Sequence, residues 1–205
     1  ENIRHSLAHL LAASALKKYK TAKLGIGPSI ENGFYYDIQF KNPITEADLV
    51  EFEKEIKNLI SQKLEFKGEK VTSLKAKKLF STQKFKLDLI KEFSKEKKDL
   101  TIYKTGEVFT DLCKGGHVKN TSEINPEAFK LTHTAGAYWR GDEKNPQLTR
   151  IYGLAFETKE ELENYVKQQE EAKKRDHKVL GPQLDLFTFS ELVGPGLPLF
   201  TPKGT

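Results

Sequence analysis

The chain has no methionine, one cysteine and one tryptophan in 205 residues. A single thiol, Cys113, cannot build an internal disulfide framework, and it suits a reducing, cytoplasmic setting. Without methionine the chain cannot begin at a native start codon, so it is expected to be a piece cut from a longer protein. No apolar run approaches the ~18 residues that cross a bilayer, and no signal-peptide pattern opens the chain, so no membrane role is expected. With only 8 Pro and 14 Gly, and no repeats or low-complexity stretches, a disordered chain is not expected either.

What is present is a globular composition, 37% hydrophobic and 31% charged, enough to bury one real core with an appendage. The net charge is +5, and 30 of the 34 basic residues are lysines. A basic excess of this size suits a polyanionic partner, although a lysine-rich, well-solvated surface gives the same signal.

Periodicity orders the elements. Residues 2–19 carry Ile3, Leu7, Leu10, Leu11 and Leu16 at helical spacing. Residues 25–30 and 34–38 are strand-like and flank Asn32-Gly33, a hairpin signal because both turn residues tolerate positive φ. Thr45 and Asp48 form a capping pattern ahead of a stripe of Leu49, Phe52, Ile56, Leu59 and Ile60. Ser73 is expected to cap a short helix ending near Phe80, and residues 85–93 read as helical. Two strand pairs follow, 101–103 with 108–113, and 130–139 with 147–156. Thr158 and Glu161 open a charged helix running to about Asp176, and residues 179–205 look loop-like. The expected fold is α+β, with antiparallel sheets packed on helices. The expected organisation is a domain over 1–157, a connector helix over 158–177 and a truncated following domain over 178–205.

Two pairs carry chemistry. His5 and His9 are four apart on the first helix, so both imidazoles share one face. Cys113 and His117 are also four apart, but Gly115-Gly116 makes that stretch a tight turn, which brings thiol and imidazole towards one centre. Asp111, two residues before the cysteine on a strand, points to the cysteine's side. A His-x3-His pair arises by chance in about one such chain in ten, so it is the coincidence of both pairs that argues for a site. Three imidazoles and a thiol can hold a tetrahedral zinc. They can equally orient and deprotonate a water without metal. The spacing leaves both open.

Further segments accompany these pairs: His-Ser-Leu-Ala-His at 5–9, Gly-Pro-Ser-Ile-Glu-Asn-Gly-Phe-Tyr-Tyr-Asp at 27–37, Asp-Leu-Cys-Lys-Gly-Gly-His at 111–117, Ala-Gly-Ala-Tyr-Trp-Arg-Gly-Asp at 135–142 and Arg-Ile-Tyr-Gly at 150–153. Together, and in this order, they resemble the second N-terminal, editing domain of bacterial-type threonyl-tRNA synthetases. The two His/Cys pairs are shared with alanyl-tRNA synthetase editing domains, and the 135–142 stretch narrows the resemblance to the threonyl branch. Residues 185–200 look like the entry into that enzyme's class II aminoacylation core.

The resemblance implies hydrolysis of mischarged seryl-tRNA(Thr) by water attack on the ester. Serine lacks one methyl of threonine, a difference that binding alone discriminates by only ~1–3 kcal/mol, so a second hydrolytic sieve is useful. It places His5, His9, Cys113 and His117 at the centre, with Lys86 activating or positioning water and Asp111 gripping the seryl group. Lys84 is the rival of Lys86. Tyr36, Gly27 and Arg140 are implied on the substrate side. Zinc at the His/Cys centre stays open, while ATP and a catalytic zinc belong to the core that this chain lacks, so it is not expected to charge tRNA. The implied partner is the acceptor end of tRNA(Thr) carrying serine, and the full-length enzyme is implied to be a homodimer through that core. Position 116 is glycine where the family often has proline, which suggests a looser loop. Two rivals remain: a non-catalytic tRNA-positioning module using Tyr138, Arg140, Lys144 and Arg150, and a free-standing editing protein, against which the core-like tail argues.

Overall fold

The computed structural model describes residues 1–175, 177–189, 194 and 197–204, with the backbone alone for 177–179. They form two compact units, Glu1–Lys159 and Glu160–Thr205.

The first unit is built around α1 (Asn2–Lys18). Its sequence suggests one apolar stripe, yet every residue from Ser6 to Ala15 is buried. Ala8, Ala12 and Ala15 fill the positions between the leucines, so the helix is small and apolar all round and lies inside the core. Burying each of Leu7, Leu10 and Leu11 contributes roughly 1.5–3 kcal/mol. Around α1 run β1 (Lys23–Leu24), β2 (Ser29–Ile30) and β3 (Gly33–Gln39), then α2 (Glu46–Ser61). Asp48 accepts from the Thr45 amide at 2.6 Å and from its hydroxyl at 2.9 Å, which fixes the start of α2.

Next come β4 (Phe66–Val71), α3 (Ser73–Leu79), α4 (Lys84–Lys95), β5 (Leu100–Thr105) and β6 (Phe109–Leu112). Thr72, one residue before the expected Ser73, is the cap of α3 and accepts from the Lys75 amide at 3.2 Å. The unit closes with β7 (Phe129–Tyr138) and β8 (Gln147–Ala155). The larger sheet runs β1-β3-β8-β7 with β2 beside β3, and the smaller runs β4-β5-β6. Every pairing is antiparallel, the α+β architecture expected.

The hairpin at Asn32-Gly33 forms, with Ile30 opposite Gly33, but neither turn residue has a positive φ. The glycine is required for another reason. A Cβ on Gly33 would lie 2.0 Å from the carbonyl oxygen of Gly153, so the β3–β8 pairing admits no side chain there.

The second unit holds the charged α5 (Lys159–Lys174), of which only Leu162 is buried among the described residues. The expected helix end at Asp176 lies outside them. The stretch expected to be loop-like instead contains α6 (His177–Gln183) and an antiparallel pair, β9 (Phe187–Phe189) with β10 (Pro198–Phe200). Aromatic contacts organise it: Phe187 lies against Phe189 and Phe200, and a Cβ on Gly181 would sit 2.1 Å from the Phe187 ring.

Candidate active site

The site is assembled from both sheets and the central helix. α1 presents His5 and His9 one turn apart, their ring centroids at 5.2 Å. β6 supplies Asp111, and just past its end the Cys113 amide donates to the Thr101 carbonyl at 3.1 Å, which anchors the thiol. The chain then turns through Gly115 (φ 112) and Gly116 (φ 87) and returns His117. Gly116 is therefore more than a loosened proline. Its φ lies in the left-handed region, and proline is locked near −65°.

One ligand-type nitrogen each of His5, His9 and His117 and the Cys113 sulfur lie within 4.8 Å of one another. Cys113 Sγ stands 3.5 Å from His5 Nε2 and 3.3 Å from His117 Nε2, and it accepts from the Gly115 amide at 3.3 Å. The His117 ring is 4.2 Å from both His5 and His9 and is stacked on Phe66 at 4.9 Å and 9°.

Beside this cluster lies a buried polar network. Lys86, 2% exposed, places Nζ 2.5 Å from Asp111 Oδ1 and donates to the Tyr36 hydroxyl at 3.1 Å. Tyr36, fully buried, donates to Asp111 Oδ2, and the Leu112 amide donates to Oδ1 at 2.8 Å. His9 Nε2 is 3.9 Å from Asp111 Oδ2, which joins the network to the histidines. His9 Nδ1 is buried and has no hydrogen-bond partner. Lys84, by contrast, is exposed and lies over the ring of Phe85, and of the two lysines it is Lys86 that lines the cleft.

Burial sets the protonation states. It holds His9 and His117 well below the ordinary imidazole value, His117 at about 2, because burial and the neighbouring imidazoles both oppose a positive charge. His5 is lowered by burial too, though Asp111 partly opposes this. Burial also pushes the Cys113 thiol up to about 11 and the Tyr36 phenol well above its usual range. Near pH 7 the cluster is thus three neutral imidazoles and a protonated thiol.

The cluster opens into a cleft of about 390 Å³ lined by His5, His9, Lys86, Asp111, Cys113 and the 26–29 loop. Gly27 forms part of that wall and lies flat on Tyr36, where a Cβ would come within 2.1 Å of ring atom Cδ2. Arg140 is not brought here. It pairs with Glu92 at 2.5 Å and lines a separate recess with Trp139 and Lys91. Trp139 itself is buried against Phe85, as core packing would have it. Arg150 is held by both oxygens of Asp37, at 2.7 and 2.9 Å. Sequence reasoning missed three residues against His117, namely Ser6, Phe66 and Tyr103, whose ring centroid is 4.8 Å from that of the histidine. Ser6 carried a signal, since it sits between the paired histidines.

The donor set suits zinc, which takes imidazole nitrogen and thiolate sulfur at bonds of ~2.0–2.3 Å and therefore needs ligand atoms about 3.3–3.8 Å apart. Two separations at Cys113 meet this already, and the orphaned His9 Nδ1 is a further free donor. The widest separation, 4.8 Å, would have to close by about an ångström to satisfy tetrahedral zinc.

Comparison with known proteins adds the following. Residues 100–152 match the family described as the threonyl and alanyl tRNA synthetase second additional domain. The chain is 50% identical over 204 residues to a threonine–tRNA ligase of Gloeobacter violaceus, covering 98% of the chain and 32% of that protein. It is 49% identical over 207 residues to that of Thermotoga neapolitana, covering 100% of the chain and 32% of the relative. For Borreliella burgdorferi the identity is 46% over 201 residues, covering 98% and 34%. The chain spans about a third of the length of the curated relatives it matches.

Proposed function

Because residues 100–152 match the threonyl and alanyl tRNA synthetase second additional domain, in a chain that is similar to threonine–tRNA ligases along its whole length, we propose that the first unit is an editing domain that hydrolyses the ester of mischarged seryl-tRNA(Thr). The observation that carries this reading is the convergence of His5, His9, Cys113 and His117, the first three of which line one cleft, beside the buried Lys86–Asp111–Tyr36 network.

The chemistry follows from the protonation states. A neutral imidazole nitrogen accepts a proton from water, and the oxygen attacks the ester carbonyl. Collapse of the tetrahedral intermediate releases serine and leaves the terminal ribose with its hydroxyl, protonated from the same cluster. Lys86, held in place by Asp111, sets a fixed positive charge beside the developing oxyanion. Asp111 is the group in the cleft suited to grip the seryl ammonium or hydroxyl; Gly27 forms part of the wall, and Tyr36 lies buried behind both. Zinc, if held by the three histidines and Cys113, would polarise water or the carbonyl, but four protein donors fill a tetrahedral shell, whereas catalytic sites keep one position free. We therefore favour water activation by the imidazoles themselves, and metal analysis of the purified chain tests this choice.

Charge distribution supports a polyanionic substrate. Residues 63–119 contain 15 lysines against 8 acidic residues, a net +7, while residues 1–62 are neutral and 120–205 carry −2. The whole basic excess thus belongs to the segment that forms the smaller sheet, its two helices and the Cys113 loop. The alternative positioning role for Arg140 and Arg150 gains less support, because both guanidinium groups are already committed to carboxylates. A soluble, cytoplasmic setting is part of this reading, and among the described residues no helix is long and apolar enough to cross a membrane.

The test is direct hydrolysis. Purified chain is incubated with seryl-tRNA(Thr) and threonyl-tRNA(Thr), and loss of the aminoacyl ester is followed. The seryl ester is expected to be cleaved faster than in buffer and faster than the threonyl ester. Hydrolysis of neither above buffer would defeat the reading.

A further inference from the structure

Ser6 is fully buried on α1, between the two histidines of that helix, and its hydroxyl has three partners. It donates to the Asn2 carbonyl at 2.8 Å, a bond in which the carbonyl can only accept. It accepts from the Val118 amide at 3.1 Å. The third partner is His117 Nδ1, at 3.3 Å. A serine hydroxyl has one proton and two lone pairs. The shorter bond to Asn2 takes the proton, and the Val118 amide takes one lone pair. The second lone pair then faces His117 Nδ1, which must supply the proton of that contact.

We infer that Ser6 is a positioning residue: its hydroxyl, clamped between Asn2 and Val118, fixes His117 as the Nδ1–H tautomer and turns the Nε2 lone pair towards Cys113, which lines the cleft. The choice of proton-bearing nitrogen in a histidine is set by the partner of the other nitrogen. Here the ring has little room to tilt, because Phe66 is stacked on it at 4.9 Å and the rings of His5, His9 and Tyr103 have centroids within 4.8 Å of its own. A bare Nε2, 3.3 Å from Cys113 Sγ, can receive a proton from a water or from the thiol. The opposite tautomer would present N–H to the centre and could accept nothing. The consequence for rate rests on the hydrolytic reading above, whereas the tautomer does not.

The experiment is therefore two-armed. Imidazole ¹⁵N–¹H correlation spectra of the 205-residue chain at pH 7.5 report which His117 nitrogen bears the proton. A pyrrole-type Nδ1 with a pyridine-type Nε2 is expected in the unsubstituted chain, and the reverse would overturn the inference without any variant being made. In S6A the Nδ1–H signature should be lost or mixed, and in S6T it should persist because the hydroxyl is retained. An unchanged His117 signature in S6A also overturns it. The second arm measures seryl-tRNA(Thr) hydrolysis. Removal of such an orienting partner typically costs about 10–100-fold, here expected in kcat with KM little changed and recovered in S6T. If the unsubstituted chain hydrolyses nothing, the functional reading fails while the spectra still decide the tautomer.

Discussion

Removing both partners of the Lys86–Asp111 pair should destabilise the first unit by much less than the sum of the two single removals. The side chains are 2% and 4% exposed and 2.5 Å apart, so neither charge can be hydrated where it stands. In K86M the carboxylate keeps the Tyr36 hydroxyl and the Leu112 amide as donors. Hydrogen bonds to a charged group contribute about 1.5–3 kcal/mol each, which places the loss at the lower end of the ~3–5 kcal/mol typical of a broken buried pair. In D111N the ammonium keeps the Tyr36 oxygen at 3.1 Å and an amide oxygen, and a loss of similar size is expected. The double variant K86M/D111N leaves no uncompensated charge. It should lie well below the sum of the single losses, with a coupling of about 2 kcal/mol or more. For a unit of this size, about 1 kcal/mol corresponds to roughly 2–4 °C, so each single variant, losing about 3 kcal/mol, should melt about 6–12 °C lower. Urea unfolding at pH 7, followed by circular dichroism, measures all four proteins. Single losses below about 1 kcal/mol, or strict additivity in the double variant, would refute the reasoning that these charges are buried and mutually compensated.

Other outcomes follow from the same structure. G27A forces a methyl into the Tyr36 ring, so hydrolysis should fall far more than stability; equal loss of both would show that the loop merely supports the fold. The buried histidines make the fold acid-sensitive, and the sign is determined by their lowered values. Below the ordinary value of 6.5 the unfolded chain binds protons that folded His117 refuses until about pH 2, so stability should drop as pH falls through this window. The slope is at most about 1.4 kcal/mol per pH unit for each such histidine, and a urea midpoint that does not move between pH 7 and pH 5 would contradict it. Exposed Lys77, Lys78, Lys91 and Lys95 lie in the basic segment, and replacing them by glutamine should lower the salt slope of tRNA binding by about 1 per contacting lysine. An unchanged slope would move the contact surface elsewhere.

The cluster was legible because its residue types are rare in this chain and their spacing is physical: four along a helix is one turn, and two glycines permit a sharp return. The choice between Lys84 and Lys86 was not, since a lysine is ordinarily assigned to solvent. Only the fold reveals that α4 turns Phe85, Lys86 and Ile90 inward and that Asp111 waits there. β4 escaped notice because Phe66 is its only buried residue and Gly68 interrupts its pattern. Gly33 marks the turn in the sequence, but what requires a glycine there, the close approach of the Gly153 carbonyl, is a tertiary fact. The 179–205 segment looked loop-like from its prolines and glycines, yet packing among Phe187, Phe189 and Phe200 outweighs that local signal. Arg140, implied beside the substrate by resemblance, lies instead with Glu92.

Half of the cluster sits on α1 and the other half on the loop after β6, more than a hundred residues later, while the sheet that holds Tyr36 is completed only by β8. A chain growing from its N-terminus therefore emerges with His5 and His9 long before their partners exist. The proposed activity has no partial form. It arrives in one step when the distant strands dock, and a fault in that docking would silence it with every catalytic side chain still in place.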